Sequence, residues 1–183
     1  MAYNFSSFKQ NIKDLEEWLK KEFSSIRTGR ATPTILDGVL VESYGSKMPI
    51  SQIGSISIEG ARSLRITPWD MSQAKVVEKA IMVSNLGLSV SVDDKGLRVN
   101  FPELTTESRN TFVKMAKQKL EEARVTLRTE REKVWDDIQK KEKEGGMGED
   151  EKFRLKAEMQ KIVDETNKKL EDLASAKEKE IMS

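Results

Sequence analysis

The chain has 183 residues, with 32 Lys and Arg against 31 Asp and Glu, and its net charge of +1 argues neither for nor against a nucleic-acid partner. It contains no cysteine and no histidine. Disulfides and thiolate metal sites are therefore excluded, and the commonest general base, zinc ligand and activated nucleophile are missing. An enzyme would be left with carboxylate or lysine chemistry alone, so no catalytic residue, metal or cofactor is expected.

Hydrophobic residues make up 37% of the chain and aromatic residues 6%, a balance that suits elongated helices with one buried stripe each. No apolar run approaches the ~20 residues of a bilayer span. Met1–Gln10 lacks the basic and apolar regions of a secretion signal, so a cytoplasmic protein without a membrane partner is expected.

In chain order, Phe5, Phe8, Ile12, Leu15, Leu19 and Ile26 recur at heptad spacing and predict a first helix. Gly29 is read as its left-handed C-cap, and Pro33 forbids continuation. Pro33, Pro49, Pro68 and Pro102 are all the prolines of the chain, and they fall between Ala31 and Thr105 with Gly38, Gly45, Gly54, Gly60, Gly87 and Gly96. The same segment alternates with period two at Val39/Val41, Ile56/Ile58, Leu64/Ile66, Val90/Val92 and Leu97/Val99, which predicts strands. Tyr44-Gly45-Ser46 and Asp93-Asp94-Lys95-Gly96 are read as turns. Asp70 is expected to cap a short helix through Ala74, Val77 and Ile81 that stops near Asn85-Leu86-Gly87.

Beyond Pro102, Thr105 can cap a second helix whose first turn carries Glu107. Its seam is Ala116, Leu120, Ala123, Leu127, Val134 and Ile138, and it ends at the turn formed by Gly145, Gly146 and Gly148. A third helix from about Glu149 turns Leu155, Met159, Ile162, Thr166, Leu170 and Leu173 inward.

The expected fold is α+β: an elongated antiparallel three-helix bundle (1–30 and 105–183) with an inserted small β/α/β sandwich domain (31–104). Both ends of the insert join the same bundle. The connectors Arg30, Ala31, Thr32, Pro33 and Pro102, Leu104, Thr105, Thr106 therefore form a two-stranded hinge. A bundle that closes on itself needs no partner helix, so a monomer is expected.

On the second helix, Lys117, Arg124, Arg128 and Arg131 lie one position after Ala116, Ala123, Leu127 and Glu130 and make a basic stripe beside the buried face, interrupted by Glu121 and extended by Lys114. Guanidinium forks on one stiff rod suit phosphate oxygens. A solvated helix face laced with ion pairs gives the same spacing, because Glu130 and Glu132 flank the arginines. The pairs Asp93-Asp94 and Asp136-Asp137 are read as turn and solubility chemistry.

The segment Ile26-Arg27-Thr28-Gly29-Arg30-Ala31-Thr32-Pro33 with Leu36-Asp37-Gly38 resembles the bacterial ribosome recycling factor family. So do Val77-Glu78-Lys79-Ala80-Ile81, Leu86-Gly87-Leu88, Pro102-Glu103-Leu104-Thr105, and Ala123-Arg124-Val125 with Arg128 and Arg131. The motifs run in the family's order from end to end. The resemblance implies an L-shaped, tRNA-like molecule with a hinged head. It also implies binding to the post-termination ribosome through large-subunit rRNA, and splitting into subunits with elongation factor G, for a new round of translation. Arg128 and Arg131 match the family's RNA-facing arginines, while Arg30, Arg109 and Arg124 match further basic positions. Where the family continues with a second basic residue, this chain has Glu132-Lys133-Val134-Trp135, so one phosphate partner is either lost or replaced by Lys133. The competing reading is a helical adaptor or chaperone-like module that binds other proteins. It accounts for the seams and the charge, but not for the stripe or the motifs.

Overall fold

The computed structural model describes residues 3–43 and 45–183, so the Tyr44 part of the expected turn lies outside the described residues. They form two compact units, one of Met1–Phe23 and Lys114–Glu178, the other of Ser24–Val113 and Lys179–Ser183.

The first unit is helical. Helix α1 (Ser6–Ser25) buries Phe8, Ile12, Leu15, Leu19 and Phe23. Two of the longer helices follow the insert: α4 (Thr106–Lys143) and α5 (Glu149–Met182). Polar pairs give their direction. Tyr3 donates to Asp137 at 2.8 Å, Asn11 to Glu130 at 2.6 Å, and Lys119 pairs with Glu22 at 3.0 Å, so α4 runs antiparallel to α1. Lys152–Glu142, Arg124–Glu171 and Lys117–Glu178 set α5 antiparallel to α4 in the same way. The core is a single file: Leu19 and Leu170 are fully enclosed, with Ala123, Leu127 and Ile138 from α4. Truncating such a leucine to alanine costs about 2–5 kcal/mol.

The α4 seam is as expected apart from Val134, which is only half-buried. On α5 the inward residue is Val163 rather than Ile162, and Leu173 is half-buried. Neighbouring apolar residues stand about 100° apart on a helix, so only one of them can enter the seam. Val163 continues the four-residue step from Leu155 and Met159, and Ile162 lies at the edge.

The α4–α5 turn is a Schellman motif. Gly146 N–H reaches the Lys141 carbonyl and Gly145 N–H that of Glu142, both at 2.9 Å, with Gly145 at φ 76°. Gly29 does no such work. It has no left-handed φ, and α1 ends at Ser25, four residues earlier. The chain is turned there by burial of Ile26 and by Arg27, described below.

The second unit contains the insert. Strands β1 (Leu40–Ser43) and β2 (Ser46–Pro49) form a hairpin, followed by a single helical turn, α2 (Ile50–Ile53). Neither β2 nor α2 was signalled by the alternation, because Ser46–Pro49 carries one apolar residue other than proline. A four-stranded antiparallel sheet has the order β3 (Gly54–Gly60), β4 (Ser63–Pro68), β6 (Gly96–Asn100), β5 (Ser89–Asp93). Helix α3 (Ala74–Val83) packs on β1 and on β5 and β6, so the core of Val41, Leu64, Ile66, Val77, Ile81, Leu97 and Val99 lies between helix and sheets. Asp70 accepts from Ser72 N–H at 2.9 Å and caps a 3-10 turn (Met71–Gln73) that leads into α3. Asn85 and Gly87, at φ 55° and 64°, terminate the helix where the sequence placed its end. Gly96 is required where it stands, since a Cβ there would overlap the Ile66 carbonyl.

Both connectors fasten to the β3–β4 turn. Ala31 N–H donates to the Ala61 carbonyl at 2.9 Å, and Phe101 N–H to that of Arg62 at 2.8 Å. Thr105 Oγ1 accepts from Ser108 N–H at 3.1 Å and is the N-cap of α4.

Candidate nucleic-acid interface

Helix α4 carries the stripe. At 3.6 residues per turn, Lys117, Arg124, Arg128 and Arg131 fall within an arc of about 60° and along about 21 Å of helix. The buried seam of Ala116, Leu120, Ala123 and Leu127 lies beside them, which is why they project from its flank instead of pointing at the core. Lys117 and Arg128 are exposed, while Arg124 and Arg131 keep 33% and 38% of their side-chain surface in solvent.

Their partners are weak. Lys117 meets Glu178 at 3.4 Å, and Arg131 meets Glu132 at 3.7 Å. Arg124 pairs with Glu121 at 2.7 Å and with Glu171 at 3.8 Å. These glutamates are 45–69% exposed, and such surface pairs contribute roughly 0–1 kcal/mol, so an incoming phosphate can displace them. Among the described residues Arg128 has no carboxylate partner. Lys114 has none either, and it too is exposed.

Lys133 stands apart. It lies about 160° around the helix from Lys117, and its ammonium holds Glu130 at 2.6 Å. Glu130 also accepts from Asn11, and these two bonds, Lys133 first, keep its carboxyl below the usual range. The side chain in line with the stripe is instead Trp135, half-buried under Lys156 at 5.1 Å from the ring centroid.

Arg30 and Arg109 belong to the second unit, where they line one cleft with Gly29, Ala61, Arg62 and Glu103. Arg30 is exposed, and no partner engages its guanidinium among the described residues. Arg109 donates to the Ile181 carbonyl at 2.8 Å and so satisfies the last turn of α5. Arg62, paired with Glu103 at 2.5 Å, completes the cleft. Its position in the β3–β4 turn gave no periodic signal by which sequence could find it.

Of the residues expected to form the hinge, Ala31 and Leu104 are buried, and Thr32, Pro102, Thr105 and Thr106 are at least partly exposed. The residue that sequence reasoning passed over is Arg27. It is 7% exposed, and its Nη1 donates to the carbonyls of Leu86 (3.2 Å) and Gly87 (3.0 Å). Nη2 donates to the Pro102 carbonyl at 2.6 Å, and the guanidinium lies 5.8 Å from the Phe101 ring centroid. Burial lowers its pKa from the usual arginine value. A heptad that ends in Ile26-Arg27 gives no hint that the arginine turns inward.

In each acidic pair one carboxylate is engaged, and Asp93 has the turn role expected of it. Asp137 accepts from Tyr3 and from Lys141, and burial, then this bond, raises the Tyr3 pKa. Asp93 takes both oxygens to Arg65 at 2.6 Å and accepts from Lys95 N–H at 2.9 Å. Among the described residues no group of three or more carboxylates could hold a metal ion, and no helix is long and apolar enough to cross a membrane.

Residues 19–182 match the family model for ribosome recycling factor. The chain belongs to the ribosome recycling factor family. It is 44% identical to the ribosome-recycling factor of Endomicrobium trichonymphae, over 97% of this chain and 96% of that one. The protein of the same name from Bifidobacterium animalis subsp. lactis is 41% identical over 100% and 99%. The solution structure of a ribosome recycling factor superposes with a TM-score of 0.73 at 37% identity, covering 97% of this chain and 95% of that one. A second similar chain comes from models of the T. thermophilus ribosome recycling factor and the E. coli elongation factor G bound to the E. coli post-termination complex. Its TM-score is 0.66 at 37% identity, with 98% and 97% covered. The mixed α+β architecture expected from the sequence is the architecture of this family.

Proposed function

We propose that this chain binds the post-termination ribosome through phosphates of large-subunit rRNA and, with elongation factor G, splits it into subunits in the cytoplasm. The observation that carries the reading is the one-sided stripe of α4, where Lys117, Arg124, Arg128 and Arg131 face solvent over a stiff helix and Arg128 has no competing carboxylate among the described residues. Phosphate contacts fix position without reading sequence, which suits a factor that must seat on one structural RNA. Arg30 and Arg109, in their own cleft, extend the phosphate-binding set. Lys133 contributes less, being turned away and held by Glu130.

No bond is made or broken by the chain itself. The insert turns about the connectors at Arg30–Pro33 and Pro102–Thr106 when the GTPase acts on it. The free energy comes from that partner's nucleotide cycle, because a binder shifts an equilibrium only by its differential affinity. Light scattering of ribosomes mixed with the chain, elongation factor G and GTP tests the reading. Scattering should fall only when all components are present, and co-sedimentation with ribosomes should weaken as salt rises. Salt-independent association, with no loss of scattering, would instead favour the adaptor.

A further inference from the structure

The line of the α4 stripe ends in an aromatic ring. Trp135 lies eighteen residues after Lys117, which is about five full turns of helix, and it stands about 6 Å along the axis past Arg131. An indole is therefore placed where a strand held on Arg128 and Arg131 would continue. The indole is half-buried, and the Lys156 ammonium of α5 lies over its ring at 5.1 Å from the centroid.

A half-buried tryptophan under a lysine is most often packing, and the chain itself supplies the comparison. Trp18 of α1 also lies under a lysine, Lys119, at 5.7 Å. That lysine is pinned between Glu22 and Glu122, each at 3.0 Å. Trp18 lines a groove with Asp14, Glu122 and Glu130, whose carboxylates repel phosphate. Trp135 differs on both counts. Lys156 is exposed and has no carboxylate partner among the described residues, so its hold on the ring is not reinforced. Trp135 also stands on the basic flank of α4. An exposed ammonium over a ring is a weaker interaction than a nucleobase stacked on it. A base can therefore displace Lys156, whose ammonium is then free to meet a phosphate.

We infer that Trp135 is a stacking platform for one unpaired base of the rRNA whose phosphates lie on the α4 stripe, with Lys156 as its removable cover. This inference rests on the phosphate reading of the stripe and adds a contact of another kind. Phosphate pairs fix the position of the helix and weaken as salt rises, whereas stacking on an indole displaces no counterion. The base must be unpaired, because a base within a duplex already has neighbours on both faces. Its identity matters little, since every base has a π-face.

Ribosome affinity over a range of salt tests the platform in the wild type, Trp135→Leu and Trp135→Phe, each with its helix content intact. Leucine keeps an apolar side chain without a π-face, and phenylalanine keeps both. Trp135→Leu should lower affinity about tenfold at every salt concentration and leave the slope of log K against log salt unchanged. Trp135→Phe should lose about threefold. Chemical probing of the rRNA should show one unpaired base protected by the wild type and by Trp135→Phe, but reactive with Trp135→Leu. Wild-type affinity in Trp135→Leu, or equal losses in the two variants, would overturn the platform and leave the phosphate reading intact. A wild-type slope near zero would overturn the phosphate reading, and the platform with it.

Discussion

Arginines occur on two exposed surfaces of this chain in opposite circumstances. On the outer face of the four-stranded sheet, Ser57, Arg65, Arg98 and Ser91 form one cross-strand row over all four strands. Two like charges directly opposite each other would be destabilising, but Glu59 bridges them, at 2.7 Å from Arg65 and 2.6 Å from Arg98, and Asp93 holds Arg65 from the other side. Arg65 is left with 13% of its side chain exposed. Its bonds to Asp93 and Glu59 raise its pKa, and bonds from Arg98, then Arg65, hold the Glu59 carboxyl at about 2. On α4, Arg124 meets two solvent-exposed glutamates at 2.7 and 3.8 Å, Arg131 meets one at 3.7 Å, and Arg128 meets none among the described residues. The sheet arginines are committed to the fold, and those of α4 are available to a partner. Counting basic residues does not separate the two cases; the exposure of their carboxylates does, at 32–45% on the sheet and 61–69% on α4.

The contrast is broken most forcefully by charge reversal on the helix. Arg128→Glu combined with Arg131→Glu should lower ribosome affinity about a hundredfold at low salt. Thermal unfolding should barely change, because neither side chain supports the core.

A smaller effect is expected on the sheet. Glu59→Gln should lower Tm at neutral pH by a few degrees and leave ribosome affinity unaltered. The sign with pH follows from the depressed carboxyl. Its stabilisation is fully present above the ordinary glutamate value of 4.5 and is lost as pH falls towards about 2. The gap in urea midpoint between wild type and variant should therefore close over that interval. A gap that stayed constant with pH would mean that the network does not stabilise the head.

The smallest change sharpens the helix side. Glu132→Arg removes the carboxylate paired with Arg131 and adds a cation about 70° from the middle of the stripe. Ribosome affinity should rise about threefold at low salt and less at high salt.

Most of this architecture was legible because helix seams and strand alternation repeat: Leu19, Leu127 and Leu170 on the helices, and Leu64, Ile66, Leu97 and Val99 on the sheet, are buried as their periods require. What was not legible depends on tertiary partners. Val163 displaced Ile162 because two adjacent apolar residues satisfy the same pattern. β2 has too few apolar residues to alternate, and Gly29 lost its expected role to an inward-turned Arg27. The same limit applied to the candidate interface. Spacing put Lys117, Arg124, Arg128 and Arg131 on one side, but it could not reveal that Lys133 is held by Glu130 on another, or that Arg62 joins Arg30 and Arg109 in a cleft.

The claim beneath the whole account is that the α4 arginines displace counterions from RNA. The direct measurement is the slope of log K against log salt for ribosome binding, taken for wild type and for Arg128→Glu with Arg131→Glu. Two lost phosphate contacts should flatten the slope by about 1.4–1.8. An identical slope in the two proteins would contradict the account.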